Sequence, residues 1–441
     1  TTLTNAGGSS GTSDGFVAKL TDAGTSATVA WAQRLGGPGD DGVYGLATSG
    51  PNIYVAGFFS GTTTGFGSTT LTSAGGYDVF VSRLTDAGNA ATTTWAQRLG
   101  GPGSDVPYKL VATGSTLYLA GAFAATVGFG STMLVSAGGS DGFVARLADT
   151  GSAAAVNWAQ TVGSPGSDEV TDMAVSGSSL YVTGSFSASV PLGATTLVSA
   201  GGTDSFVAKL TDAGSTSAYT WARGMGGLRD DAGYRLATSG GKVYVAGQFG
   251  EDGTSTAPAS ATFGTTVLQS VGGRDIFVTK LIDAGGTSSF AWTQQAGSTY
   301  GDTVFGLALS STSVYVGGYF YGPSIAFGTR TLTNPYPSGG ASNGFFASLG
   351  DITLPTRAAL SATLRLYPNP AAASATVPVP EAAGLTTATL TLTDARGRTV
   401  RTAQPAPGTN HLLDLTGLAP GLYVVRVQAG TTLATQQLTV Q

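Results

Sequence analysis

The sequence has no cysteine among its 441 residues and a single histidine, His411. Disulfide frameworks, thiolate nucleophiles and zinc–thiolate centres are excluded, and no serine or acid stands near His411 at a triad spacing. Charged residues make up 10% of the chain, against about 25% in an average soluble protein. The net charge of −5 and pI near 4.8 give no attraction to nucleic acid or anionic lipid. No run approaches the roughly 18 apolar residues of a membrane span. Thr1-Thr2-Leu3-Thr4 is neither basic nor apolar, so the chain reads as soluble with a processed or truncated start.

What is abundant is glycine, 68 residues, with Ser and Thr supplying the polar surface. Repetition organises it. Trp31, Trp95, Trp158, Trp221 and Trp292 are spaced by 64, 63, 63 and 71 residues. Ten residues after each stands an acid: Asp41, Asp105, Asp168, Asp231 and Asp302. Tyr54, Tyr118, Tyr181, Tyr244 and Tyr315 follow at +23, Gly57, Gly121, Gly184, Gly247 and Gly318 at +26, and Phe59, Phe123, Phe186, Phe249 and Phe320 at +28. A sixth copy of one element gives Phe16, Phe80, Phe143, Phe206, Phe277 and Phe345.

Within a unit, apolar segments of four to seven residues alternate with Gly, Asp, Ser and Thr turns, and no 3.6-residue period is sustained. The fold class is all-β. Segments 44–48, 53–57, 79–84 and 94–99 are four hairpin-linked strands, the blade of a β-propeller. Blades packed face to face bury both sides of each sheet, so few charges are needed. Thr1–Gly8 aligns with Thr69–Gly76, and the unit holding Tyr315 and Phe345 has no Trp strand after it. The Trp31 strand is expected to close that last blade, giving five blades; six is the alternative. Residues 1–349 form the propeller, 350–361 a linker and 362–441 a second domain.

That second domain has no Phe or Trp, and residues 357–441 carry net +3 against −8 for residues 1–356. Alternating segments at 388–393, 399–402, 410–415, 421–428 and 434–440 read as a small β-sandwich. Leu366-Tyr367-Pro368-Asn369-Pro370, Asp394-Ala395-Arg396-Gly397 and Leu418-Ala419-Pro420-Gly421-Leu422-Tyr423 resemble the type A C-terminal sorting domain of the type IX secretion system of Bacteroidota. The resemblance implies an immunoglobulin-like sandwich, the outer-membrane secretion machinery as partner, and a secreted or cell-surface destination. Gln436-Gln437 stand where members of that family often carry Lys. The Gly-Gly-x-Gly-Asp-Asp, Val-Tyr-Val-Ala-Gly and Asp-x-Phe-Val-Ala-Lys-Leu elements resemble SBBP-type propeller repeats over residues 1–349.

Candidate chemistry is sparse. Asp41, Asp105, Asp168, Asp231 and Asp302 precede the innermost strand and in a closed ring would encircle the channel mouth, where they are candidates for Ca²⁺ or a polyhydroxylated ligand. The competing reading makes each an acceptor for amides of its own turn. The Asp22, Asp86, Asp149, Asp212 and Asp283 series reads as structural hairpin-turn residues, and the acids two before each repeated Phe as turn caps. Gly36-Gly37-Pro38-Gly39 lacks the Gly-Lys-Ser/Thr of a phosphate loop. Phe58 and Tyr319 suit inter-blade packing better than sugar stacking. Asp168-Glu169-Asp172 and Glu251-Asp252 are the irregular acid groups. The sequence therefore points to a non-catalytic binding or scaffold protein with a glycan, matrix or itself as partner, with a self-assembling filament or layer subunit and a polysaccharide-degrading enzyme as alternatives.

Overall fold

Four blades of four antiparallel strands repeat the same order among the described residues, the first running Asp41–Ser49, Asn52–Phe59, Asp78–Asp86, Ala91–Leu99. The sheets of the third and fourth continue into the hairpins Ser260–Phe263/Thr266–Gln269 and Ser324–Phe327/Arg330–Thr333. The computed structural model describes all but residues 1, 8–10, 252–257, 311, 337–340, 351–363, 365, 380–386, 395–397 and 430–431, and every regular element among the described residues is a strand. Two compact units result, Thr1–Gly350 and Asp351–Gln441. The expected linker falls almost entirely outside the described residues, as do Asp252 and Gly397.

The inner strands of the four blades are Asp41–Ser49, Val106–Thr113, Glu169–Ser176 and Ala232–Ser239, and each packs on the next. A trailing three-stranded sheet, Asp302–Leu309, Ser313–Phe320 and Asn343–Gly350, packs on the fourth. The architecture is that of a β-propeller, but the Trp31 strand does not close the last blade. Ala27–Leu35 hairpins back on Gly15–Asp22 through a turn closed by Ala23 N–H to Ser26 O at 2.8 Å. A local hairpin forms at low entropic cost, whereas joining the trailing sheet would mean closing a loop of about 300 residues. Five closed blades are thus replaced by four complete ones between a leading strand pair and a trailing sheet. Phe16 shows what the leading pair lacks: it is 63% exposed, while its repeats Phe80, Phe143, Phe206 and Phe277 are fully buried.

Aromatic side chains fill the wedges between blades. Phe80, Phe143 and Phe277 pack in tilted pairs with Phe66, Phe129 and Phe263, ring centroids 4.7, 4.9 and 4.7 Å apart, and the tryptophans of the first four repeats are at most 6% exposed. A polar latch accompanies them. Trp31, Trp95, Trp158 and Trp221 donate Nε1–H to Asp86, Asp149, Asp212 and Asp283 of the following blade at 2.9–3.1 Å. Lys19, Arg83, Arg146 and Lys209 pair with the same four carboxylates. The hairpin aspartates are structural, as their turn chemistry suggests, yet their principal partners lie one blade away.

The repeated glycine at +26 has one cause. Every inner strand carries a one-residue bulge, with Val43 facing Gly57 and Gly45 facing Ala56 so that Tyr44 is the extra residue. A Cβ on Gly57, Gly121, Gly184 or Gly247 would overlap the inner-strand carbonyl oxygen of Gly42, Val106, Glu169 or Ala232. Only glycine lets the bulged strand lie this close.

The second unit is a sandwich of a two-stranded sheet, Ser374–Pro378 with Asn410–Asp414, and a four-stranded one in the order Thr399–Ala403, Thr389–Asp394, Gly421–Ala429, Thr432–Val440. Its core is aliphatic, with Ala375, Val377, Leu390, Leu392, Val425, Val427 and Leu438 fully buried. His411 pairs with Val377 on an edge strand.

Candidate functional site

The five repeated acids do not rim an open mouth. Asp41, Asp105, Asp168, Asp231 and Asp302 are at most 2% exposed, and each accepts an amide four residues upstream: Gly37, Gly101, Ser164, Gly227 and Ser298, at 2.6–2.8 Å. Burial raises their carboxyls, to about 6 for Asp41 and Asp105 and about 7 for Asp231 and Asp302. A second buried acid from the Phe−2 series adds repulsion in every case, Asp14 beside Asp41 for example. Among the described residues no three acids or histidines come together as a metal cluster.

The diversity of the repeats lies elsewhere. The bulged residue of the successive inner strands is Tyr44, Tyr108, Thr171, Tyr234 and Phe305. The residue after it is Gly45, Lys109, Asp172, Arg235 and Gly306. A bulge re-aims the chain locally; the bulged residue itself is aromatic in all units but the third, and the residue after it is where the units differ from one another. Tyr44, Tyr108, Thr171 and Tyr234 line one cleft of about 490 Å³. Four inner strands bounding a single cleft curve about a common axis, and Thr171 is the small side chain among the four bulged residues that line it.

The charged groups of the cleft are partnered. Lys109 Nζ meets Asp172 Oδ1 at 2.7 Å, and Asp172 also accepts the amides of Met173 and Leu236, both at 2.8 Å. Arg235 donates to the carbonyls of Phe305 and Tyr234. Glu169 is raised by burial despite hydrogen bonds from Ser185 and Tyr108. Glu169 and Tyr234 also line an adjoining hollow of about 320 Å³ with Asp168, Asp230, Asp231, Gln248 and Arg274. Asp230 there accepts Thr203 N–H at 3.0 Å.

Aromatic groups stand at both ends of the inner arc. Phe58, above side-chain-free Gly42, lies 5.7 Å from Tyr44 and 4.8 Å from Tyr77. Its counterpart Tyr319 lies 5.4 Å from Phe305 and 5.2 Å from Tyr321. Between them the same repeat position holds Ala122, Ser185 and Gln248. Phe58 and Tyr319 stood out in the sequence as aromatics beside glycine, and Glu169 and Asp172 as irregular acids; the bulge series Tyr44, Tyr108, Thr171 and Tyr234 did not, and the available signal for the residues after it was the offset at which the repeats disagree.

In the sandwich, Asn369 ties the Tyr367-Pro368-Asn369-Pro370 segment to the last strand, donating to Gln437 O at 2.8 Å and accepting Thr439 N–H at 2.9 Å. Both X-Pro bonds of the segment are cis. Asp394 holds Arg398 at 2.8 Å. Gly421 opens the strand that carries Tyr423, whose hydroxyl donates to Ala419 O at 2.8 Å.

Three comparisons bear on this arrangement. No curated protein matches the chain. A solved glycoside hydrolase family 32 structure from Bifidobacterium adolescentis is 11% identical, with 90% of this chain and 75% of that one covered, at a TM-score of 0.29, a level that says nothing about activity. Residues 365–441 match the secretion system C-terminal sorting domain. This segment is a sorting domain of the type IX system, and the chain that carries it is exported to the outer cell surface or secreted.

Proposed function

We propose that the exported chain is a non-catalytic binding protein that holds a polyhydroxylated ligand, a glycan, in the axial cleft of its first unit. The observation that carries this reading is the diversification of the residue after each inner-strand bulge: the wedge residues repeat, while Gly45, Lys109, Asp172, Arg235 and Gly306 do not. Tyrosines offer an apolar face and a polar edge, as a sugar ring does. Lys109 and Arg235 supply charged donors, and Asp172, paired with Lys109, balances them so that the cleft has no field of one sign. Asp168 and Asp172 are buried and saturated by amides, which leaves them unsuited to attack or proton transfer.

One observation favours a second reading, glycoside cleavage: Glu169, with its raised carboxyl, and the more accessible Asp230 border the same hollow. Calorimetry of the full chain against cello-, malto- and manno-oligosaccharides and polygalacturonate, with reducing ends followed in parallel, separates the two. Binding reduced at least tenfold by Tyr108→Ala and by Lys109→Ala, without turnover, supports the binding reading. New reducing ends that vanish in Glu169→Gln support cleavage. No binding by any member overturns the glycan assignment.

A further inference from the structure

The third residue after each tryptophan is Arg34, Arg98, Thr161, Gly224 and Gln295, and it faces the buried acid two residues before the repeated Phe. Arg34 Nη1 meets Asp14 Oδ2 at 3.1 Å and Arg98 Nη1 meets Asp78 Oδ2 at 2.9 Å. Gln295 Nε2 donates to Asp275 Oδ2 at 2.6 Å. Asp141, opposite Thr161, takes Ser136 Oγ at 3.1 Å instead. Asp204 faces Gly224 and receives no side-chain donor. Its Oδ2 accepts the Ala200 amide at 2.8 Å, as Asp78 Oδ2 accepts the Ala74 amide at 2.6 Å, but no arginine joins that amide as Arg98 does on Asp78; Asp204 is 4% exposed.

The volume an arginine would occupy is open. A cleft of about 620 Å³ reaches Asp204 past Gly224 and Gly226, walled by Leu197, Val198 and Phe290. A Cβ on Gly224 would make ordinary contacts with Phe186 and Leu197 at 3.6 and 3.9 Å, so the site accepts a side chain. Arg223, on the same cleft, spends its guanidinium on Ser288 of the next blade. Asp204 and its neighbour Asp231 therefore form a pair of buried acids without the cation that two other repeats carry. A buried carboxylate gains most from a charge-assisted, planar donor.

We propose that Asp204 is a socket for a guanidinium group brought by a ligand, entering through the cleft that Gly224 leaves open. Arg98 on Asp78 is the internal template for the bound state. The aliphatic stem of the ligand would lie along Leu197 and Val198, as the stem of an arginine lies along apolar surface. The socket is separate from the axial cleft, and its test does not depend on the glycan reading.

Agmatine, an alkylguanidinium, is the probe. Titrated into the full chain, it should bind saturably below about 10 mM and raise the thermal midpoint; butylamine and urea report on charge and planarity alone. Gly224→Arg, which supplies the guanidinium from within, should raise the midpoint without ligand and weaken agmatine binding at least tenfold. Asp204→Asn should weaken it equally, which keeps the test valid if Gly224→Arg folds poorly. Absence of saturable binding, or binding that persists in Asp204→Asn, overturns the proposal.

Discussion

The hydroxyl of Tyr54 donates to Asp149 Oδ2 at 2.7 Å, across 95 residues of chain and from one blade to the next. Asp149 also accepts Trp95 Nε1 at 3.1 Å and pairs with Arg83 at 3.0 Å. One carboxylate thus satisfies three donors of the preceding blade, and Asp212 and Asp283 do the same for Tyr118 with Trp158 and Tyr181 with Trp221. Burial alone would raise these acids; the converging donors hold them below the ordinary 3.8. The interface is directional, with donors on one blade and the acceptor on the next.

Removing that acceptor strands the buried donors. The side chain of Asp149 is 4% exposed, and breaking such a pair from one side costs about 3–5 kcal/mol. Asp149→Ala is expected to lower stability by that amount in urea unfolding. Asp86→Ala should cost clearly less, because Asp86 receives Lys19 and Trp31 but, among the described residues, no tyrosine hydroxyl, and lies in a more open turn. Equal losses would contradict the latch.

The glycine that admits each bulge gives a second test. Gly121→Ala would press a methyl against the Val106 carbonyl and the Phe143 ring, an overpacking expected to cost about 1–3 kcal/mol or more. Gly114, at φ 62° in an open hairpin turn, is the control. Ala there meets no atom and carries only the left-handed backbone penalty, about 1 kcal/mol. Chemical denaturation of the two variants should rank them in this order.

Much of the fold was legible because its causes are local or periodic. The tryptophan spacing and the Gly-Asx turns marked each four-stranded blade, and Tyr367–Pro370 with Gly421–Tyr423 marked the sorting domain. The Trp31 strand was misplaced because a repeat aligns equally well with the unit before it and the unit after; the short Ala23–Ser26 turn decided the matter. Asp149 could be seen as a turn residue, but nothing within its own hairpin reveals Tyr54. The bulges were invisible because one extra residue in a strand of eight or nine leaves the apolar pattern almost intact. Asp172 consequently stood out only as one of an irregular group of acids, and Thr171 not at all.

Thr171 is small where its counterparts are mostly tyrosine, and the axial cleft depends on it. Thr171→Tyr restores the commoner side chain at a bulge that already accommodates one in Tyr108 and Tyr234. The variant is expected to fold, with a midpoint within a few degrees of the parent, and to lose ligand affinity at least tenfold as the ring occupies the opening. Unchanged affinity would place the binding face elsewhere.

Export should fail when the sandwich core is broken. Leu390 is fully buried between Leu392, Val425 and Val427 in the aliphatic core, and an unpaired carboxylate there is incompatible with folding. Leu390→Asp is expected to keep the chain inside cells that possess the type IX machinery, while exposed Thr389→Asp leaves surface display intact. Immunodetection on whole and lysed cells distinguishes the two.

Two sets of carboxylates pull the stability of the first unit in opposite directions with pH. Asp41, Asp105, Asp204, Asp231, Asp275 and Asp302 are raised by burial from 3.8 to about 6 or 7. The native state therefore holds more protons than the unfolded chain between about pH 4 and 7, and stability falls as pH rises through that window. The latch acids Asp149, Asp212 and Asp283 are depressed. Their contribution is complete above the unfolded value near 4 and disappears as pH drops through the native one. The thermal midpoint should peak near pH 4–5, decline gradually toward pH 8 and collapse below pH 3. Asp231→Asn, which removes one of the most strongly raised carboxyls, should flatten the alkaline limb and leave the acid limb unchanged; a midpoint that climbs between pH 5 and 8 would show that these buried acids are compensated within the native fold.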